Sequence, residues 1–139
     1  RFENCDLSNV NLSDSSIHRA EFINCKLTGS NFTEAACKNV AFDQCSGKYT
    51  LFRFTDLKQT IFSNCQIPYA EFYQSKFSKV EFKDTDIIQS QFFNTKLKGI
   101  DFTSCSIDGI SAGIEDVQGA IISYDQAALI VGLLGVVLK

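Results

Sequence analysis

The sequence predicts an all-β chain: a parallel solenoid of square section, ended by a short C-terminal helix. Three observations predict it. An apolar residue or a thiol recurs every five positions from Phe2 to Ile122, Gly47 alone excepted, without a phase slip. Residues twenty apart sort into four chemically distinct columns. Past Ile122 the period stops, and an apolar run, Ala127–Leu138, takes over.

A period of five fits neither the 3.6 residues of a helix nor the 2 of a strand. It implies a turn every five residues, with one large side chain pointing inward per segment. Two residues before each large position stands a smaller one: Cys5, Val10, Ser15, Ala20, Cys25, Ser30 and onward. The remaining positions are mostly polar. If four such sides make one coil, residues twenty apart stack directly. The column begun at Phe2 continues through Phe22, Phe42, Phe62, Phe82 and Phe102 to Ile122, and the column begun at Leu12 through Phe32, Phe52, Phe72 and Phe92 to Ala112. The columns begun at Leu7 and Ile17 are mostly aliphatic. Ten of the 13 Phe residues stand in these two columns, which gives them a repeated structural role. Coils at strand spacing sit about 4.8 Å apart, so about six of them make a rod of roughly 30 Å in which each coil buries its neighbour's face. Local loosening is expected at Cys37, at Gly47, and around Ala112 and Glu115, where the pattern weakens.

Five of the six cysteines, Cys5, Cys25, Cys45, Cys65 and Cys105, lie at multiples of twenty, with Thr85 in the one empty slot. They hold the small inward position of one column. Parallel thiols about one coil apart cannot converge on one zinc ion, which takes ligands around a point. Parallel Cβ vectors also suit a disulfide dihedral badly. The row is expected to be buried, unpaired thiols acting as small hydrophobes, with no metal and no cofactor. Unpaired thiols favour a reducing compartment, so a cytoplasmic location is expected.

In the tail, Ser123 or Asp125 is placed to cap a helix over Gln126–Leu134, Gly135 to take the left-handed position after it, and Val136–Leu138 to form a short strand. The helix is apolar nearly all round, which requires burial on more than one side. One side can cap the last coil. The other calls for a second copy in a two-fold dimer, with Ala127, Leu129, Ile130, Leu133, Leu134, Val136 and Leu138 as the candidate interface. The division expected is repeats over 1–122 and a capping, dimerising tail over 123–139.

The motif of a small residue, a polar residue, Leu or Phe, then two polar residues resembles the pentapeptide repeat proteins. The resemblance covers residues 1–124 and implies a right-handed quadrilateral parallel β-helix. "DVQGAIISYDQAALIVGLLGVVL" further resembles the tail of the Qnr-type quinolone-resistance branch, with Gln118-Gly119, Gln126-Ala127 and Leu134-Gly135-Val136 at matching places. That resemblance implies end-to-end dimerisation. It also implies a non-enzymatic DNA mimic that binds bacterial type II topoisomerase, DNA gyrase or topoisomerase IV, and protects it from quinolones.

Outward residues separate by charge. The side carrying the Phe2 column shows Glu3, Glu21, Asp43, Glu81, Asp84 and Asp101 against Arg1 and Lys83. The Ile17 side shows Arg19, Lys38, Lys58, Lys76, Lys79, Lys96, Lys98 and His18 against Asp56 and Asp116. Glu21, Asp43, Glu81, Asp84 and Asp101 are the candidate topoisomerase-binding acids. A net charge of −3 gives no general attraction to nucleic acid or anionic membrane, so direct contact with either is not expected. The longest apolar run is too short to span a bilayer, and no signal-peptide pattern opens the chain. Catalysis is not expected either. Paired carboxylates need a cleft, and Glu81 and Asp101 are expected on neighbouring coils of a convex rod without one. No phosphate-binding loop or dinucleotide pattern is present. The rival expectation is a scaffolding repeat protein that grips another protein through its exposed aromatic columns, Tyr49 with Tyr69 and Tyr73 with Phe93.

Overall fold

The computed structural model describes residues 1–139. Five parallel strands lie side by side in chain order: β1 (Phe2–Glu3), β2 (Ser16–Ile23), β3 (Ala36–Asp43), β4 (Asp56–Ser63) and β5 (Lys76–Lys83). Each pairs with the next at a register of twenty, as in Phe22↔Phe42 and Phe62↔Phe82. Isolated bridges carry the same register along the other sides, from Asp6↔Lys26 to Asp86↔Ser106 and from Asn11↔Asn31 to Gln91↔Ser111. The molecule is a parallel β-solenoid with one short C-terminal helix.

The corners explain the five-residue period. Residues such as Asn4, Asn9, Asp14, Arg19 and Asn24 take positive φ between 50° and 59°, and the series repeats every five residues to Asn94. Left-handed backbone turns the chain without a long loop, at a steric cost for any residue with a Cβ. Arg19, Asn39, Gln59 and Lys79 fall inside β2–β5, so each eight-residue strand bends once and contributes to two sides of the rod.

Inside, the two Phe columns stack. Centroids of Phe22, Phe42 and Phe62 are 4.8 Å apart with planes within 8°; Phe52, Phe72 and Phe92 are 4.9 and 5.0 Å apart within 2°. Between the columns the rings meet edge to face, as Phe52–Phe62 does at 5.5 Å and 88°, the arrangement the ring quadrupole favours. The coil rise therefore sets the stacking distance, and the second column supplies the edges.

The thiol row is buried from Cys25 onward, and all six cysteines are free. Each thiol of the row from Cys25 donates to a carbonyl one coil back: Cys25 to Phe2, Cys45 to Phe22, Cys65 to Phe42 and Cys105 to Phe82, at 3.2–3.4 Å. Thr85, in the empty slot, does the same toward Phe62 at 3.1 Å. The row is thus a ladder of coil-to-coil hydrogen bonds. Thr50 makes the same bond to Leu27, and Ser75 to Phe52.

Two of the places expected to loosen do not. Cys37 lies in β3, 2% exposed and paired with Ile17 and Leu57. Gly47 keeps the ladder, with Leu27 N–H donating to Ser46 and Gly47 N–H to Gln66. A Cβ there would come within 2.8–2.9 Å of Leu27, so the core has closed over the missing side chain. The third place does loosen. Beyond Ala112 the coil becomes turns, Glu115 is exposed at a small inward position, and Asp116 stitches the segment by accepting from the amides of Gly113 and Asn94.

A break that the pattern did not predict lies one coil earlier. No backbone hydrogen bond joins β5 to residues 96–104. Asn4, Asn24, Gln44 and Asn64 each donate to the carbonyl nineteen residues on, whereas the Asp84 amide turns to Ser104 Oγ. Pairing resumes at Asp101↔Ile121, and the flanking bridges to Ser106 and Ser111 are intact, so the two sides that β5 spans stand open at one coil step. The side chains there account for it. Phe77 is the largest residue of its column, and Ile100 occupies a small position filled below it by Ala20, Val40, Thr60 and Val80. The excess volume holds the coils apart, and the Phe82–Phe102 centroids widen to 5.8 Å.

In the tail a 3-10 turn, Tyr124–Gln126, leads into α1 (Ala127–Val131) and a second 3-10 turn, Gly132–Leu134, ended by Gly135 at φ 75°. Ser123 occupies the N-cap. Val136–Leu138 is not a strand: it runs without regular structure and stays exposed.

Candidate functional site

The five candidate acids do lie along one side of the rod, but they are not equivalent. Glu21, Glu81, Asp84 and Asp101 are exposed. Asp43 is half-buried and accepts hydrogen bonds from Ser63 Oγ and Asn64 Nδ2, both at 3.2 Å, so part of its charge serves the next coil. The register puts Glu21 beside Ala41 and Ile61 beside Glu81. The acids therefore cluster at the C-terminal half of the side, around Glu81, Asp84 and Asp101, with Glu21 and Asp43 apart from them.

That cluster is not on a smooth convex surface, as the sequence suggested. Where the ladder opens, Val80, Glu81, Phe82, Lys83, Gly99, Asp101, Thr103 and Ser104 line an open cleft of about 390 Å³. Asp101 is fixed at its rim: Thr103 donates to it through its hydroxyl at 2.6 Å and its amide at 2.8 Å. These two bonds hold its carboxyl below the ordinary carboxylate range. Such a group is a permanent negative charge at neutral pH. A general acid requires the opposite shift, so the site is suited to presenting charge.

On the basic side, Arg19, His18, Lys38, Lys58, Lys76, Lys79, Lys96 and Lys98 are all exposed. Its two carboxylates are engaged, Asp56 lying 4.0 Å from Lys58 Nζ and Asp116 taken up by Gly113 and Asn94. The aromatics on the outside pair as Tyr49 with Tyr69 and Phe54 with Tyr73, and not Tyr73 with Phe93, which has no aromatic partner. Tyr49 and Tyr69 sit 5.4 Å apart beneath Lys48, whose Nζ is 5.2 Å from the Tyr69 centroid, and Phe54 meets Tyr73 edge to face at 5.6 Å. Tyr49 is nevertheless 54% exposed and Phe93 44%.

In the tail, Ile130 and Leu133 lean on the end of the rod, and Ala127 is half-buried. Leu129, Leu134, Val136 and Leu138 remain exposed. The residue that fastens the tail is one the sequence did not single out for it. Gln126 is 8% exposed and donates through Nε2 to the carbonyls of Phe102 and Cys105 at 2.8 and 2.9 Å, while its Oε1 accepts from Ser123 N–H. Its signals were a long polar side chain at the head of an apolar run and the Gln126-Ala127 pair of the tail pattern, neither of which names the carbonyls it meets.

A family model described as "Pentapeptide repeat region" matches residues 1–72 and 50–111. The chain is a pentapeptide repeat protein. One solved structure agrees on the fold, and others are similar at lower scores. Rfr23, a pentapeptide repeat protein from the cyanobacterium Cyanothece 51142, matches at 11% identity with a TM-score of 0.50, over 87% of this chain and 91% of that one. HetL, a pentapeptide repeat protein involved in heterocyst differentiation regulation from Nostoc sp. strain PCC 7120, matches at 11% identity and a TM-score of 0.33, over 88% and 85%. Full-length QnrB1, a plasmid-mediated fluoroquinolone resistance protein, matches at 20% identity and a TM-score of 0.29, over 97% and 87%. No curated protein sequence matches the chain. No helix of this pentapeptide repeat protein is long and apolar enough to cross a membrane.

Proposed function

We propose that this pentapeptide repeat protein is a non-enzymatic DNA mimic that binds DNA gyrase or topoisomerase IV and shields it from quinolones. It acts as a homodimer joined through its tail. The observation that carries the reading is the cluster of exposed carboxylates Glu81, Asp84 and Asp101 on one side of the rod, with Glu21 and Asp43 on earlier coils of that side, supported by the Qnr-like spacing of the tail sequence. Four coil steps separate Glu21 from Asp101, about 19 Å at strand spacing. Five acids over that length average one charge per roughly 4–5 Å, against about 3.4 Å for the phosphates of a single DNA strand, but unevenly: Glu81 and Asp84 share a coil and the coil at Ile61 has none. The side imitates one strand's charge, so an enzyme groove that grips duplex would meet the rod partly through shape.

The test is gyrase supercoiling in the presence of ciprofloxacin with the protein titrated in. Restored supercoiling supports the proposal. Inhibition without rescue would make the protein a gyrase-binding regulator, and no effect would remove topoisomerase from the account. A second reading, a scaffold for another protein, is favoured by the exposed Tyr49, Tyr69, Phe54 and Phe93 on one part of the rod. Capture from a bacterial lysate separates the two: the first requires gyrase subunits as the main catch, and the second requires their absence together with loss of the catch in Tyr49→Ala/Phe54→Ala.

A further inference from the structure

The open coil step has a second end, on the basic side. There Phe77, Lys79, Val80, Lys96, Lys98, Gly99 and Ile100 line a cavity of about 90 Å³. Elsewhere in the repeat the amides at these two steps are spent on the next coil. Leu7, Leu27, Gly47, Ile67 and Ile87 donate to the carbonyl nineteen residues on, as do Asn9, Gly29, Tyr49, Tyr69 and Gln89. Continuing the pattern, Phe77 and Lys79 would donate to Lys96 and Lys98. Those bonds are missing, because nothing joins β5 to residues 96–104. Two amide donors therefore face a gap without a partner in the chain.

The charge around the gap has one sign. Its lining contains three lysines and no carboxylate. None of the three is ion-paired, since the molecule's salt bridges are Arg1–Glu3, Arg53–Glu71 and Lys58–Asp56. The carboxylates of the same side are occupied, Asp56 by Lys58 and Asp116 by the amides of Gly113 and Asn94. A cavity needs only about 10–15 Å³ to admit one water, so this one has room for a small polyatomic anion. Convergent amides and ammonium groups make charge-assisted hydrogen bonds to such a group, which are stronger than neutral ones.

We propose that this seam is an oxyanion site that takes phosphate through the amides of Phe77 and Lys79 and the ammonium groups of Lys79, Lys96 and Lys98. It is independent of the acidic side and of the topoisomerase reading. The experiment is an amide NMR titration of the full chain with sodium phosphate, at ionic strength held constant with sodium chloride. Saturable shifts are expected at Phe77, Lys79 and Lys96–Gly99. Lys79→Gln/Lys98→Gln weakens phosphate by at least about tenfold, whereas Lys38→Gln/Lys58→Gln, on the same side but outside the seam, leaves it unchanged. Shifts that do not saturate, or that chloride alone reproduces, overturn the site. Equal loss in both lysine pairs also overturns it, because the general charge of the side, and not the seam, would then hold the anion.

Discussion

Each inward residue of the rod answers to the coil above and below it, so single substitutions report on the stack. Phe62 is 1% exposed, stacks on Phe42 and Phe82 at 4.8 and 5.0 Å, and meets Phe52 and Phe72 edge to face. Phe62→Ala opens a cavity that neighbouring coils, pinned by their ladders, cannot close. A loss of about 3–5 kcal/mol is expected from urea unfolding; under about 1 kcal/mol would mean the column is loosely packed. Cys37 gives a pH test. Burial, then the charge of Asp56, pushes its thiol up from an ordinary value of 9.0 to about 11. A proton held more tightly in the folded chain stabilises it fully below about pH 9, and that contribution is lost as pH rises through about 11. The drop is roughly 2–3 kcal/mol. The urea midpoint of the parent should fall more steeply between pH 8.5 and 11 than that of Cys37→Val, and parallel slopes would show that the thiol is not shielded. The role of the thiols was legible in the sequence because a twenty-residue interval sets them in a row. The roles of Gly47 and Gln126 were not, since each depends on what packs against it: Leu27 closing over the glycine, and two carbonyls of the last coil meeting the amide.

At the scale of the element, β5 is the strand whose far edge lacks a partner. The cause is a sum across two coils, Phe77 with Ile100, and neither residue looks abnormal alone. The five-residue pattern records whether a position is apolar. It does not record whether two neighbouring layers together exceed the space available, so the seam and its cleft were invisible in the sequence. Native-state hydrogen exchange should find the amides of Phe77, Lys79 and Phe82 exchanging much faster than those of Leu27 and Ile67, whose ladder bonds are intact. The double variant Phe77→Leu/Ile100→Val lowers the volume in that corner and should raise their protection by at least about tenfold. Uniform protection in the parent chain would contradict the open step. The tail shows the complementary limit. Its cap and its left-handed Gly135 follow from local sequence, but Val136–Leu138 had the composition of a strand and pairs with none.

For the whole molecule, the solenoid and its columns were legible apart from the open step, because a repeat restates its geometry in every coil. Which surface is used is stated only once, by side chains that need not repeat, and so it depends on placement. The exposed Leu129, Leu134, Val136 and Leu138 at the end of the rod are proposed to meet their copies in a second chain. Light scattering after size exclusion should give twice the chain mass of 15.5 kDa, and Leu134→Asp/Val136→Asp should return it to one. A parent chain that is monomeric at all concentrations would refute the tail interface. On the acidic side, the charge most favourably placed belongs to Glu81, Asp84 and Asp101, beside the cleft. The most direct measurement of the central claim is therefore gyrase protection from ciprofloxacin by the charge-reversed variant Glu81→Lys/Asp84→Lys/Asp101→Lys, alongside the parent chain. With an unchanged circular dichroism spectrum and elution volume, the variant is predicted to lose protection that the parent provides. Protection equal to the parent's would contradict the DNA-mimic account, because a folded rod without those charges would be doing the same work.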